Sequence, residues 1–172
     1  MPETSAPMPP RELFRYELQD QTHGAIHAIS FFSPQELEHL GGLPGSAILA
    51  RMKDPEGGLV AENLEFNGAF LQLLHETVQQ HFPLLPDLQQ LKLGPEATHL
   101  YVHVTRPGRT ARSEEPADII GRFAVTDGKL DPATYEGHPG FAPIRPEGMF
   151  IMHPDVERAL IGQFQPAPPP QH

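Results

Sequence analysis

The stretch from Thr98 to Leu130 constrains this chain more than any other. It begins with THLYVHV, in which Leu100, Val102 and Val104 alternate with His99, Tyr101 and His103. Strict alternation of apolar and polar residues fits a strand with one face buried, because successive side chains point to opposite sides. A polar loop, TRPGRTARSEEPAD, follows, and then the β-forming run IIGRFAVT. Asp127-Gly128 stands between that run and a returning strand over Lys129–Tyr135. Such a dipeptide between apolar residues signals a two-residue type I′ hairpin turn. A chain committed to a hairpin here is committed to antiparallel sheet.

The other elements arrange themselves around that pairing. LFRYEL, Leu13–Leu18, alternates in the same way, with Phe14, Tyr16 and Leu18 facing a core. A turn at QDQTHG and a strand-like Ala25–Phe32 make a second hairpin. Ser33, Pro34 and Glu36 form a capping box that opens a short helix, and Gly41-Gly42 stops it. Ala47–Met52 fits a short strand, and Lys53–Gly58 a loop. Phe66, Phe70, Leu73, Leu74, Val78 and Phe82 recur at helical spacing, with Asn67 as an N-cap, or an earlier start near Glu62, and Pro83 and Pro86 as terminators. Gln72, His75, Glu76 and Gln79 fall outside that stripe and are expected on the wet face. Gly148–Met152 reads as a last short strand, with Met149, Phe150, Ile151 and Met152 in the core. His153-Pro154 opens a helix with Val156, Leu160, Ile161 and Phe164 on one face. Strands, helices, strands and a closing helix predict an α+β fold, a mostly antiparallel sheet with two main helices packed on one face.

Composition sets the domain limits. The chain has 172 residues, of which 21 are proline and 38% are hydrophobic. The proline-rich ends, residues 1–12 and 166–172, offer little to bury and are expected to be disordered. Residues 13–165 are the right size for one globular domain. Twelve basic against 22 acidic residues give a net charge of −10. That makes nucleic acid an unlikely partner and an anionic membrane surface another, since both attract net positive charge. The absence of cysteine excludes disulfides, thiolate nucleophiles and cysteine metal sites, and fits a soluble cytoplasmic protein. No signal-peptide pattern and no apolar run of membrane-spanning length is evident.

Two groups of residues are candidates for chemistry. Arg106, Arg109 and Arg112 fall three apart in a loop that contains Pro107-Gly108. Guanidinium groups bind phosphate or carboxylate in bidentate fashion, and a glycine lets backbone N–H groups join them. Glu114, Glu115 and Asp118 follow at once, so a self-neutralised cluster of surface ion pairs is the simpler alternative. His99 and His103 lead into this loop and are the candidate general bases. The pairs His23/His27 and His99/His103 share a four-residue spacing, which on a strand leaves roughly 13 Å between partners. A metal site would therefore need the two strands to be neighbours, and no metal or other cofactor is expected. HETVQ begins like a zinc-protease motif but has Gln79 where the second histidine must stand. Tyr101 and Phe123 are the candidate stacking platforms. No nucleotide-binding loop or nucleophile elbow occurs.

The sequence thus favours a small binding or regulatory protein that takes an anion or a protein partner through the Arg106–Arg112 loop. The alternative is an enzyme on an unfamiliar scaffold, acting on a phosphorylated or anionic small molecule with a histidine base. Oligomeric state is left open.

Overall fold

The structure is a computed structural model that describes residues 11–22, 24–89, 93–94, 96–108 and 113–164. Most of residues 1–12 and 166–172 lie outside that range, as do His23, Arg109 and Arg112.

β1 (Phe14–Asp20) and β2 (Gly24–Ser30) form the first hairpin, paired from Phe14 with Ser30 to Asp20 with Gly24. Alternate residues of β1 are half-buried, as the sequence pattern implies. α1 (Pro34–Leu40) begins at the capping box: Glu36 N–H donates to Ser33 Oγ, and Ser33 N–H to Glu36 Oε1. Each bond satisfies a donor that the first helical turn cannot. Gly41, at φ 80°, closes the helix in the left-handed conformation. β3 (Ile48–Met52) and β4 (Leu64–Phe66) complete a four-stranded antiparallel sheet in the order β1-β2-β3-β4.

α2 (Gly68–His81) is the central helix. Asn67 caps it by accepting from Ala69 N–H, and its Nδ2 donates to the carbonyls of Gly45 and Ile48. That cap fixes the helix start, so Phe66 belongs to β4 and not to the helical stripe. Phe70, Leu74, Thr77 and Val78 are its buried residues. A short 3-10 turn over Phe82–Leu84 leads into α3 (Pro86–Gln89).

The strands of the 98–130 region form as expected. β5 (His99–His103), β6 (Ile119–Thr126) and β7 (Lys129–Gly137) make a three-stranded antiparallel sheet. Asp127 and Gly128 have φ of 54° and 74°, both positive, as a type I′ turn requires. β8 (Ile144–Arg145) and β9 (Gly148–Met149) form a two-stranded ribbon, and Thr105 bridges Ile151. α4 (Pro154–Gly162) packs on α2.

The α+β class and the antiparallel pairing follow the sequence. Among the described residues the strands do not make one continuous sheet. They divide into three sheets, and α2 contacts β3 of one and β7 of another. The division falls where α2 and α3 separate β4, only three residues long, from β5. One hydrophobic cluster, from Ile29 to Phe164, joins these layers. Met149, Phe150 and Met152 lie in it, whereas Ile151, bridged to Thr105, is half-buried and outside it; Phe123 also lies in it, fully buried and no stacking platform.

The packing of α2 on β7 corrects one expectation. His75 is not on a wet face. It is half-buried, with Nδ1 2.6 Å from the Tyr135 hydroxyl. Burial lowers the His75 pKa below the usual imidazole value and raises that of Tyr135 above the usual phenol range. Both groups are therefore neutral at pH 7 and share one hydrogen bond, whose direction follows the imidazole tautomer. Two glycines paired in register, Gly121 and Gly137, make the space. A Cβ on Gly137 would lie 2.8 Å from the His75 ring, and one on Gly121 would lie 2.5 Å from the Glu136 carbonyl oxygen and 2.7 Å from the Tyr135 ring.

Two outcomes follow from this packing. Gly121→Ala meets backbone that cannot move aside, and is expected to lower unfolding stability by about 2–3 kcal/mol in urea titration. Gly137→Ala meets a side chain and costs less. For His75, the folded pKa lies below the unfolded one, so its contribution is complete above the unfolded value and is lost as pH falls from there through the folded value. The melting temperature is expected to drop between pH 7.5 and 5. The drop should be smaller in His75→Gln, as measured by thermal unfolding of both proteins across that range.

Candidate functional site

The loop joining β5 to β6 is built on a buried ion pair. Arg106 is 1% exposed and Asp118 fully buried. Arg106 Nε donates to Asp118 Oδ1 at 2.9 Å, and Nη1 to the Pro143 carbonyl at 3.2 Å. Nη2 donates to the carbonyls of Ala117 and Ala142. Burial lowers the guanidinium pKa, and the Asp118 carboxylate opposes that shift. The guanidinium is directed inward at protein acceptors, so Arg106 is not part of an exposed anion-binding patch. It closes the base of a loop whose middle, with Arg109 and Arg112, lies outside the described residues. Arg145 reinforces the base through an ion pair with Glu115.

The histidines stay on the surface of the three-stranded sheet. His99 is exposed, its Nδ1 3.2 Å from Thr98 Oγ1. His103 is half-buried, with Nδ1 3.2 Å from the Ser113 carbonyl. Tyr101, 42% exposed, lies between them on the same face. His27 is on β2, whose neighbours are β1 and β3, whereas β5 pairs with β6. The histidine strands are therefore not neighbours, and the cross-strand metal pairing does not arise. Among the described residues no group of three or more His, Asp or Glu is placed to hold a metal ion.

Among the described residues, the surface carries an apolar groove and a smaller polar recess. The larger, about 670 Å³, is an apolar groove between the α2–α3 connection and the tip of the β6–β7 hairpin. Pro83, Leu84, Leu88 and Leu93 form one wall, and Leu100, Leu130 and Pro132 contribute to the other. Asp127, Gly128 and Lys129 of the turn also line it. Leu84 is 65% exposed. The smaller recess, about 270 Å³, lies over Gly121 and Gly137 and is lined by Tyr101, Arg122, Glu136 and His138. Arg122 Nε and Nη2 both donate to Glu136 Oε2 there, at 3.1 and 2.9 Å. Neither concavity is lined by Arg106, His99 or His103.

Sequence reasoning missed the groove. Its residues come from the α2–α3 connection and Leu93, from Leu100 on β5, and from residues 127–132 of the β6–β7 hairpin, and leucines in a mixed pattern carry no local sign of exposure. The Asp-Gly turn was the sole part of it that could be read in advance.

Comparison with protein-family models, with curated proteins and with solved structures finds no match to this chain. No helix is long and apolar enough to cross a membrane, among the described residues.

Replacing Arg106 by leucine leaves the Asp118 carboxylate buried with its main counter-charge removed. The expected loss is roughly 3–5 kcal/mol of unfolding stability, the range for breaking a buried pair. The double variant Arg106→Leu with Asp118→Asn removes both charges. Chemical denaturation should show it regaining part of that loss.

Proposed function

We propose that this is a binding or regulatory protein, and that its seat for a partner is the apolar groove between the α2–α3 connection and the β6–β7 turn. The exposure of Leu84 carries this reading. Val60, Leu84 and Tyr101 are the exposed large hydrophobic residues among those described, and Leu84 is the most exposed of them. It stands in a groove lined by four further leucines and two prolines. Apolar side chains gathered in a concavity lower their free energy when another apolar surface displaces the water. At about 670 Å³ the groove has room for several aliphatic side chains of a protein partner. Its lining holds one acid and one base and no histidine, which suits capture of apolar groups better than proton transfer.

A neutral solvatochromic dye such as Nile red tests the groove. Saturable binding is expected, weakened by about tenfold or more in Leu84→Asp, a change of about 1.4 kcal/mol. Binding indifferent to that substitution would overturn the assignment.

A second reading is favoured by the Arg106–Asp118 pair. It closes the base of the loop that carries Arg109 and Arg112, and an arginine loop on a fixed base suits a phosphate or carboxylate. A thermal-shift screen with nucleotides and phosphosugars checks it. A ligand at 100 times its dissociation constant should stabilise the fold by about 2.7 kcal/mol, an effect lost in Arg109→Ala.

A further inference from the structure

The partner of the groove can be narrowed by asking which surface would complement it. The smaller recess satisfies its own charges, because Arg122 is bonded to Glu136 across the strands. β1, the end strand of its sheet among the described residues, exposes Arg15, Glu17 and Gln19, and polar residues of this kind discourage strand addition. The groove differs from both. It carries a projecting apolar side chain, Leu84, beside a leucine-lined hollow. It also carries Asp127 and Lys129 two residues apart on the turn, neither held in an ion pair among the described residues.

A two-fold interface uses one patch twice, so the patch must be complementary to itself. A knob must sit beside a hollow, and acid beside base. The groove meets both conditions. We propose that its occupant is a second copy of this chain. In the two-fold arrangement Leu84 of each copy enters the hollow of the other, and Asp127 of each faces Lys129 of the other. The inference rests on the groove being a seat for protein side chains, as proposed above. The chain's net charge of −10 sets two like-charged bodies against each other, so the association is reversible and dependent on concentration.

Sedimentation velocity on the full chain, between about 1 and 500 µM, reads this directly because the dimer fraction follows mass action. The wild type is expected to pass from monomer to dimer across the range. Leu84→Asp should weaken dimerisation by at least about 30-fold, the scale of an interface hot spot. Lys129→Asp, which sets acid against acid, should weaken it by about tenfold. Val60→Asp alters an exposed apolar residue outside the groove and should dimerise like the wild type. Nile red at saturation should dissociate the dimer. A wild type monomeric throughout, or a dimer indifferent to Leu84→Asp, would overturn the second copy as occupant. If the monomeric protein still bound the dye through Leu84, the groove would stand as a binding seat and the two-fold partner alone would fall. Loss of both would remove the groove reading as well.

Discussion

A buried guanidinium with no partner would cost more free energy than this small fold can spare, and the chain around Arg106 is arranged to prevent that. Asp118 supplies the opposite charge, and three backbone carbonyls take remaining donors. These acceptors come from the end of the β5–β6 loop and from the segment before β8. One side chain therefore joins parts of the chain separated by up to 37 positions. Ile119 and Ile120 enter the core immediately after Asp118, so the register of β6 is tied to the same contact. An apolar residue of similar volume would fill the space, but it would take from the buried Ala142 carbonyl its Arg106 donor, whereas the carbonyls of Ala117 and Pro143 would keep the N–H groups of Ala142 and Phe150.

The second organising contact is that of α2 with the three-stranded sheet. Phe82 stacks on Phe123 with ring centroids 5.7 Å apart, and Phe123 lies 4.9 Å from Tyr135. Gln79 donates to the Pro132 carbonyl, and His75 pairs with Tyr135. These contacts run along one side of the helix toward its C-terminal end. They set the distance between the 3-10 turn after α2 and the tip of the β6–β7 hairpin, which are the walls of the groove. The groove is thus a consequence of how a helix is seated on a sheet, and the same contacts that stabilise the fold give the groove its shape.

Local signals were legible where the physics is local. Ser33 and Glu36 mark a helix start because both hydrogen bonds close within four residues. Asp127-Gly128 marks a hairpin because few other residues adopt positive φ at two successive positions without strain. Asn67 was identifiable as a cap, though its bonds to Gly45 and Ile48, which tie the helix to the start of β3 and the turn before it, were not. The candidate site was much less legible. Arg106 has the composition of an anion-binding residue and the position of a core residue. Its neighbours in sequence, Pro107 and Gly108, say nothing of the carbonyls at Ala142 and Pro143 that receive it. His75 looks solvent-facing on a helical wheel, because a wheel shows one buried face and this helix touches two sheets.

By itself, the sequence determined most of the elements, the short strands β4 and β8 excepted: their types, caps, turns and antiparallel sense, and an acidic chain without cysteine chemistry. Those properties depend on backbone preferences and on contacts among residues a few positions apart. Tertiary structure alone decided the division of the strands into separate sheets, the inward turn of Arg106, the pairing of His75 with Tyr135 above two glycines, and the gathering of Leu84, Leu88, Leu100 and Leu130 into one groove. Each of these depends on which distant segment supplies the neighbouring surface, and burial, unlike a turn or a cap, is a property of the assembled chain.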